Sequence, residues 1–98
     1  MKGVVMITQG SYEGYDYDRM IVRFTLLDDD VVVPCSISTS AMDELENCRG
    51  TNASQREAQF MRLRMRIEQQ AIIKIGKLEF EGAPRGVVLR SLDFRDKR

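Results

Sequence analysis

The sequence predicts an α+β fold: a mainly antiparallel sheet of about four strands in the order β-β-β-α-α-β, with two helices packed on one face. Three observations predict it. Short β-branched or alternating segments fill the first third of the chain, one long helical periodicity occupies residues 54–76, and strands and helices do not alternate singly. With 98 residues, 43% of them hydrophobic, the chain has the size of a single domain, 1–98, with one core.

Gly3 to Thr8 is short and β-branched, which predicts the first strand. Gln9 to Asp18 is rich in turn formers and polar apart from Tyr12, Tyr15 and Tyr17, and so is expected to be a loop. Met20 to Leu27 alternates, with Met20, Val22, Phe24 and Leu26 on one face and Ile21, Arg23, Thr25 and Leu27 on the other. That is a half-buried strand. Asp28-Asp29-Asp30 reverses the chain, and Val31 to Ile37 follows as the hairpin partner. Pro34 has no amide hydrogen, which places this strand at an edge or turns the missing donor toward solvent.

Ser38 to Cys48 carries one apolar stripe, Ala41, Met42, Leu45 and Cys48, behind a capping serine, and predicts a short helix. Arg49 to Ala53 links it to the long helix. Ser54-Gln55-Arg56-Glu57 has the form of a capping box, and Phe60, Leu63, Ile67, Ala71 and Ile75 stack on one face after it. Met61, Met65 and Ile72 are expected to widen that face, while Arg62, Arg66 and Gln69 lie opposite. Gly76 supplies the stop. A brief extended piece at Lys77 to Phe80, a loop at Glu81 to Arg85 and a last strand at Gly86 to Phe94 complete the pattern. Both Val87/Leu89 and Val88/Leu92/Phe94 are credible inward sets for that strand. Arg95 to Arg98 reads as a frayed, charged tail.

Beyond the pattern, particular residues matter in succession. Ser11-Tyr12, Tyr17-Asp18 leading into Val22-Arg23-Phe24, the run Val33 to Ser38, and Ala41-Met42 with Leu45 resemble a family of small bacterial proteins, the domain-of-unknown-function family 1488 (DUF1488). The resemblance continues through the arginine-rich helix to Ile72–Ile75, Gly76 and Phe80, and then Val87 to Ser91 with Asp93-Phe94. It implies an α+β domain with no assigned activity, cofactor or catalytic residue, so no functional position is carried over from it.

Composition excludes some chemistry directly. Histidine is absent, which removes the usual general base, the commonest transition-metal ligand and any Ser/His/Asp or Cys/His arrangement. No phosphate-binding glycine loop is present, and Asp28-Asp29-Asp30 lacks the spacing of a calcium loop. The expectation is a protein without catalytic residues, cofactor or metal. Cys35 and Cys48 match no zinc spacing and read as reduced thiols, although sequence leaves a bridge between them open. Cys35, on a strand face with Val33 and Ile37, is the candidate for a reactive thiol but has no base or cation beside it in sequence. With no apolar run near the roughly 20 residues of a membrane span, and no signal-like start, a soluble cytoplasmic protein is expected.

Net charge is zero but unevenly spread: residues 1–50 hold nine acids and four bases, and the remainder eleven bases and six acids. The halves can neutralise each other or serve a partner. Arg62 and Arg66 share a helix face, yet Arg64 lies about 200° from Arg62, so the arginines of helix 54–75 form no single phosphate-binding stripe. Nucleic-acid binding is therefore the alternative reading. Tyr12, Tyr15 and Tyr17 can anchor a partner or fold back over the sheet. The function expected is a non-catalytic interaction module, pairing with itself as a homodimer or with another protein. Thiol-dependent activity at Cys35 is a third reading.

Overall fold

The computed structural model describes residues 6–95. Strands β1 (Ile7–Asp16), β2 (Ile21–Asp28) and β3 (Val31–Ser38) form an antiparallel meander. Helices α1 (Thr39–Leu45) and α2 (Arg56–Gly76) follow, then β4 (Val87–Leu89) and a final helical turn, α3 (Ser91–Phe94). The sheet order is β1-β2-β3-β4, and β4 runs parallel to β3. The α+β class and the order β-β-β-α-α-β are as predicted. The sheet is mixed because α1 and α2 together form the crossover that a parallel pair requires. Among the described residues, no helix is long and apolar enough to cross a membrane.

One face of the sheet carries the core. Val22, Phe24 and Leu26 of β2, Val33, Cys35 and Ile37 of β3, and Val87 and Leu89 of β4 are buried. Phe60, Leu63, Ile67, Ala71 and Ile75 of α2 close over them, joined by Ala41 and Met42 of α1. The inward set of the last strand is thus Val87 and Leu89. Its strand character ends at Leu89, because Asp93 accepts from the Arg90 amide at 2.7 Å and turns the chain into α3.

Three other expectations change. The segment Gln9 to Asp16 is strand rather than loop, whereas residues 3–5 of the expected first strand lie outside the described residues. Its pairing with β2 shifts register twice, between Gln9 and Tyr12 and between Tyr12 and Gly14. Each bulge adds a residue, so Gln9, Tyr12 and Tyr15 fall on the helix-covered side of the sheet at spacings of three, Gln9 at its exposed margin, and period-two alternation is lost. Gly10 is part of this irregularity, since a Cβ there would strike the Thr25 hydroxyl and lie 2.6 Å from its carbonyl oxygen.

The start of α2 is set upstream of the expected Ser54/Glu57 box. The Asn52 amide donates to Gln55 Oε1 at 3.1 Å, and Ala53–Gln55 forms a 3₁₀ turn that leads into the α-helix. Met61, Met65 and Ile72 do not widen the buried face, being 42%, 76% and 38% exposed. They lie roughly 100° or more around the helix from the centre of the core stripe.

β3 lies inside the strand order, with Pro34 tolerated because β4 pairs only with Cys35–Ile37. At Pro34 itself the strand is locally an edge, which is where a residue without an amide hydrogen fits. Gly86 lies so close that a Cβ there would strike the Pro34 carbonyl oxygen and sit 3.1 Å from its carbon. The two-residue hairpin turn between β2 and β3 uses Asp29 at φ 57°, a left-handed conformation that aspartate tolerates better than most residues.

Candidate interaction surface

Two places gather unusual chemistry: an apolar groove beside the first half of β3, and a polar cluster where α1 meets α2. The groove arises because β4 is so short. Past Cys35 toward the hairpin, β3 has no paired strand on its outer side beyond the Gly86 contact at Pro34, and the chain leaving α2 passes nearby without joining the sheet. The resulting open groove, about 480 Å³, is lined by Val31, Val32, Pro34, Leu78, Phe80 and Arg85, with Val33 at its floor. Val31, Val32 and Leu78 are 65%, 58% and 75% exposed. Leu78 is held outward by φ 59°, a conformation unusual for a branched side chain. The Arg85 guanidinium lies over the Phe80 ring, 5.7 Å from its centroid.

The polar cluster is built on Asp43 of α1. Its Oδ1 accepts from Arg56 Nη1 at 2.7 Å, Gln59 Nε2 at 2.9 Å and Thr51 Oγ1 at 3.1 Å. Arg56 Nη1 also donates to Gln59 Oε1 at 2.6 Å, and the guanidinium lies 5.9 Å from the Tyr15 ring centroid. Burial pushes the Asp43 carboxyl up, but hydrogen bonds from Arg56 and Gln59, the Arg56 charge and the Thr51 hydroxyl together hold it below the usual carboxylate range. Arg56 Nε is buried without a partner. Apart from that Nε, the Arg56 and Gln59 donors face carboxylates or an amide already in the cluster, so the arrangement ties α1 to α2. Sequence reasoning passed over it, although Arg56, Gln59 and Lys74 occupy the buried face of α2. Polar residues at core spacing were the available signal. Lys74 has the same explanation: its Nζ meets Asp93 Oδ1 at 3.0 Å and donates to the Val88 carbonyl at 2.9 Å, fixing α3 and β4 to α2.

The residues singled out by sequence are dispersed. Tyr12 turns inward, its ring 5.4 Å from Phe60, and burial together with the Glu57 carboxylate pushes its phenol up. Tyr15 packs against the core and under Arg56, whereas Tyr17 is 70% exposed. Arg62 forms a two-pronged pair with Glu46 at 2.8 and 2.9 Å. Arg64 pairs with Glu68 at 2.9 Å. Arg66 is exposed and has no ion pair among the described residues. The arginines of α2 are therefore mostly neutralised singly, by acids on separate sides.

Cys35 is buried and Cys48 is half-buried; both are free thiols. Burial pushes the Cys35 thiol up to about 12, with the Glu68 charge adding to it and a backbone hydrogen bond at Leu26 opposing it. Thiolate is the species that alkylates. Cys48 is thus expected to label first with iodoacetamide at mildly alkaline pH, and Cys35 to label only as the chain opens. Mass spectrometry of peptides over time checks this, and equal labelling rates would contradict the buried placement. Among the described residues, no group of three or more His, Cys, Asp or Glu side chains could hold a metal ion.

Comparison with known proteins bears on the whole of this architecture. A crystal structure of a protein of unknown function from the DUF1488 family of Shewanella loihica PV-4 is similar in fold, with a TM-score of 0.78 at 22% identity, covering 91% of this chain and 98% of that one. No curated protein matches. The family profile described as "Protein of unknown function (DUF1488)" matches residues 9–84, from the first bulge of β1 through both helices to the loop before β4, and the chain belongs to that family.

Proposed function

We propose that this chain is a non-catalytic protein-interaction module that self-associates. The observation that supports the reading is the groove beside β3, where Val31, Val32 and Leu78 are all more than half exposed around Phe80 and Pro34. Contiguous apolar surface of this kind is the usual mark of a contact site. The polar cluster spends its hydrogen bonds on its own members, so it reads as a clamp between helices rather than as a reaction centre. Two free thiols fit a reducing compartment such as the cytoplasm. Light scattering after size exclusion, from low to high micromolar protein, tests the reading. A mass that climbs from 11.3 kDa toward twice that value is expected. A mass constant at the monomer value throughout the range overturns it.

A further inference from the structure

We infer that the open edge of β3 pairs with the same edge of a second copy of this chain, antiparallel about a two-fold axis at Val32. The inference rests on the self-association reading and supplies its partner, register and contact pairs.

The backbone restricts the register. Antiparallel partners alternate between hydrogen-bonded and non-hydrogen-bonded pairs. Pro34 lies opposite Thr25 and has no amide hydrogen, so that pair is of the non-hydrogen-bonded kind. It follows that Val31, Val33 and Cys35 direct their N–H and C=O groups toward β2, and Val32, Pro34 and Ser36 direct theirs outward. Ser36 meets β4, and Pro34 offers only a carbonyl, against which Gly86 is pressed. In the uncovered part of the strand, Val32 alone presents both an outward donor and an outward acceptor. A second β3 satisfies both in one self-complementary register, with Val32 opposite Val32 and two hydrogen bonds exchanged across the axis.

Charge agrees with this register. It brings the Asp30 turn of each copy to the Pro34 end of the other, where Gly86 closes the edge and Arg85 lines the groove. Neither Asp30 nor Arg85 has an ion pair among the described residues, so the contact supplies each with its opposite, twice by symmetry. Val31, Val32 and Leu78 all line the groove beside that axis. The outer edge of β1 is longer, but two bulges and Glu13 blunt it against pairing. The β3 contact is small, which points to a weak, micromolar dimer.

Charge reversal tests the pairing with variants at exposed positions. Asp30→Arg and Arg85→Asp are each expected to raise the dimer dissociation constant about tenfold or more, and the double reversal to restore it to within about threefold. Val32→Cys is expected to give a disulfide-linked dimer on mild oxidation, since the hydrogen-bonded pair sets its Cα atoms about 5.5 Å apart. The unsubstituted chain, with Cys35 and Cys48, is the control on the same non-reducing gel. A dimer indifferent to the single reversals, a double reversal no better than the singles, or a Val32→Cys chain that does not cross-link overturns this register while self-association stands. A constant monomer mass overturns both.

Discussion

Replacing Phe60 by alanine is expected to remove about 3–5 kcal/mol of stability, a large share of the roughly 5–15 kcal/mol that holds a domain of this size together. Phe60 is fully buried and stands at the centre of a chain of rings: Phe24 of β2 at 5.1 Å on one side and Tyr12 of β1 at 5.4 Å on the other. The Arg64 guanidinium lies 5.5 Å from its centroid. One side chain thus joins two strands to α2. Truncation removes the transfer energy of the ring and leaves a cavity that two rigid rings cannot collapse to fill. Phe60→Leu keeps most of the volume and is expected to lose only about 1–1.5 kcal/mol. Urea unfolding of both variants checks this, with the midpoint falling at an unchanged slope. An alanine variant within about 1 kcal/mol of the parent would contradict the place given to Phe60.

That ring chain also marks where the sequence was legible. Phe60, Leu63, Ile67, Ala71 and Ile75 repeat at helical spacing and are all buried; Val22, Phe24 and Leu26 alternate and are all buried. Both patterns are produced by a regular element lying on a core, so periodicity reads them directly. β1 escaped because its two bulges convert alternation into spacings of three, which resembles a polar loop with tyrosines in it. The end of the chain escaped for a different reason. Val87 to Phe94 is apolar enough for one strand, but the Asp93 carboxylate captures the Arg90 amide and Lys74 holds Asp93 from the side. That outcome depends in part on a lysine well upstream in sequence, which no local pattern carries.

The candidate surface was less legible than the fold. Periodicity places Val31 and Val33 together, but it does not say that β4 stops short of them, and the groove exists only because it does. Strand length is set by where Gly86 can approach Pro34, a tertiary fact, and by where Asp93, bonded three residues back and held by Lys74, turns the chain. The tyrosines illustrate the converse. Read as a cluster, they resembled an anchor, but the bulges direct Tyr12 and Tyr15 to the covered side, and only Tyr17, past the end of β1 and edge-on to Tyr15, is largely exposed.

The polar cluster gives the second large effect, and its size depends on pH. Arg56 is 6% exposed along its side chain and Asp43 is 21% exposed. Asp43→Asn leaves the guanidinium buried without a counterion, a change expected to destabilise by about 3 kcal/mol, the lower end for a broken buried pair because Asp43 retains some solvent. A neutral replacement of both partners, Asp43→Asn with Arg56→Met, is expected to lose less than Asp43→Asn alone, since no charge is then stranded. The arginine pair, together with Gln59 and Thr51, holds the Asp43 carboxyl below its ordinary range despite burial. A carboxyl depressed on folding contributes stability that is present above its unfolded pKa, about 3.9, and is lost as pH falls through the lower folded value. The parent chain should therefore lose stability on acidification below about pH 4 more steeply than Asp43→Asn, and the two curves should converge in strong acid. Glu46, lowered chiefly by its hydrogen bonds from Arg62, titrates in both chains and leaves that difference largely intact. Urea midpoints measured across the acid range decide the matter: parallel curves would show that Asp43 and Arg56 are not coupled in the folded chain.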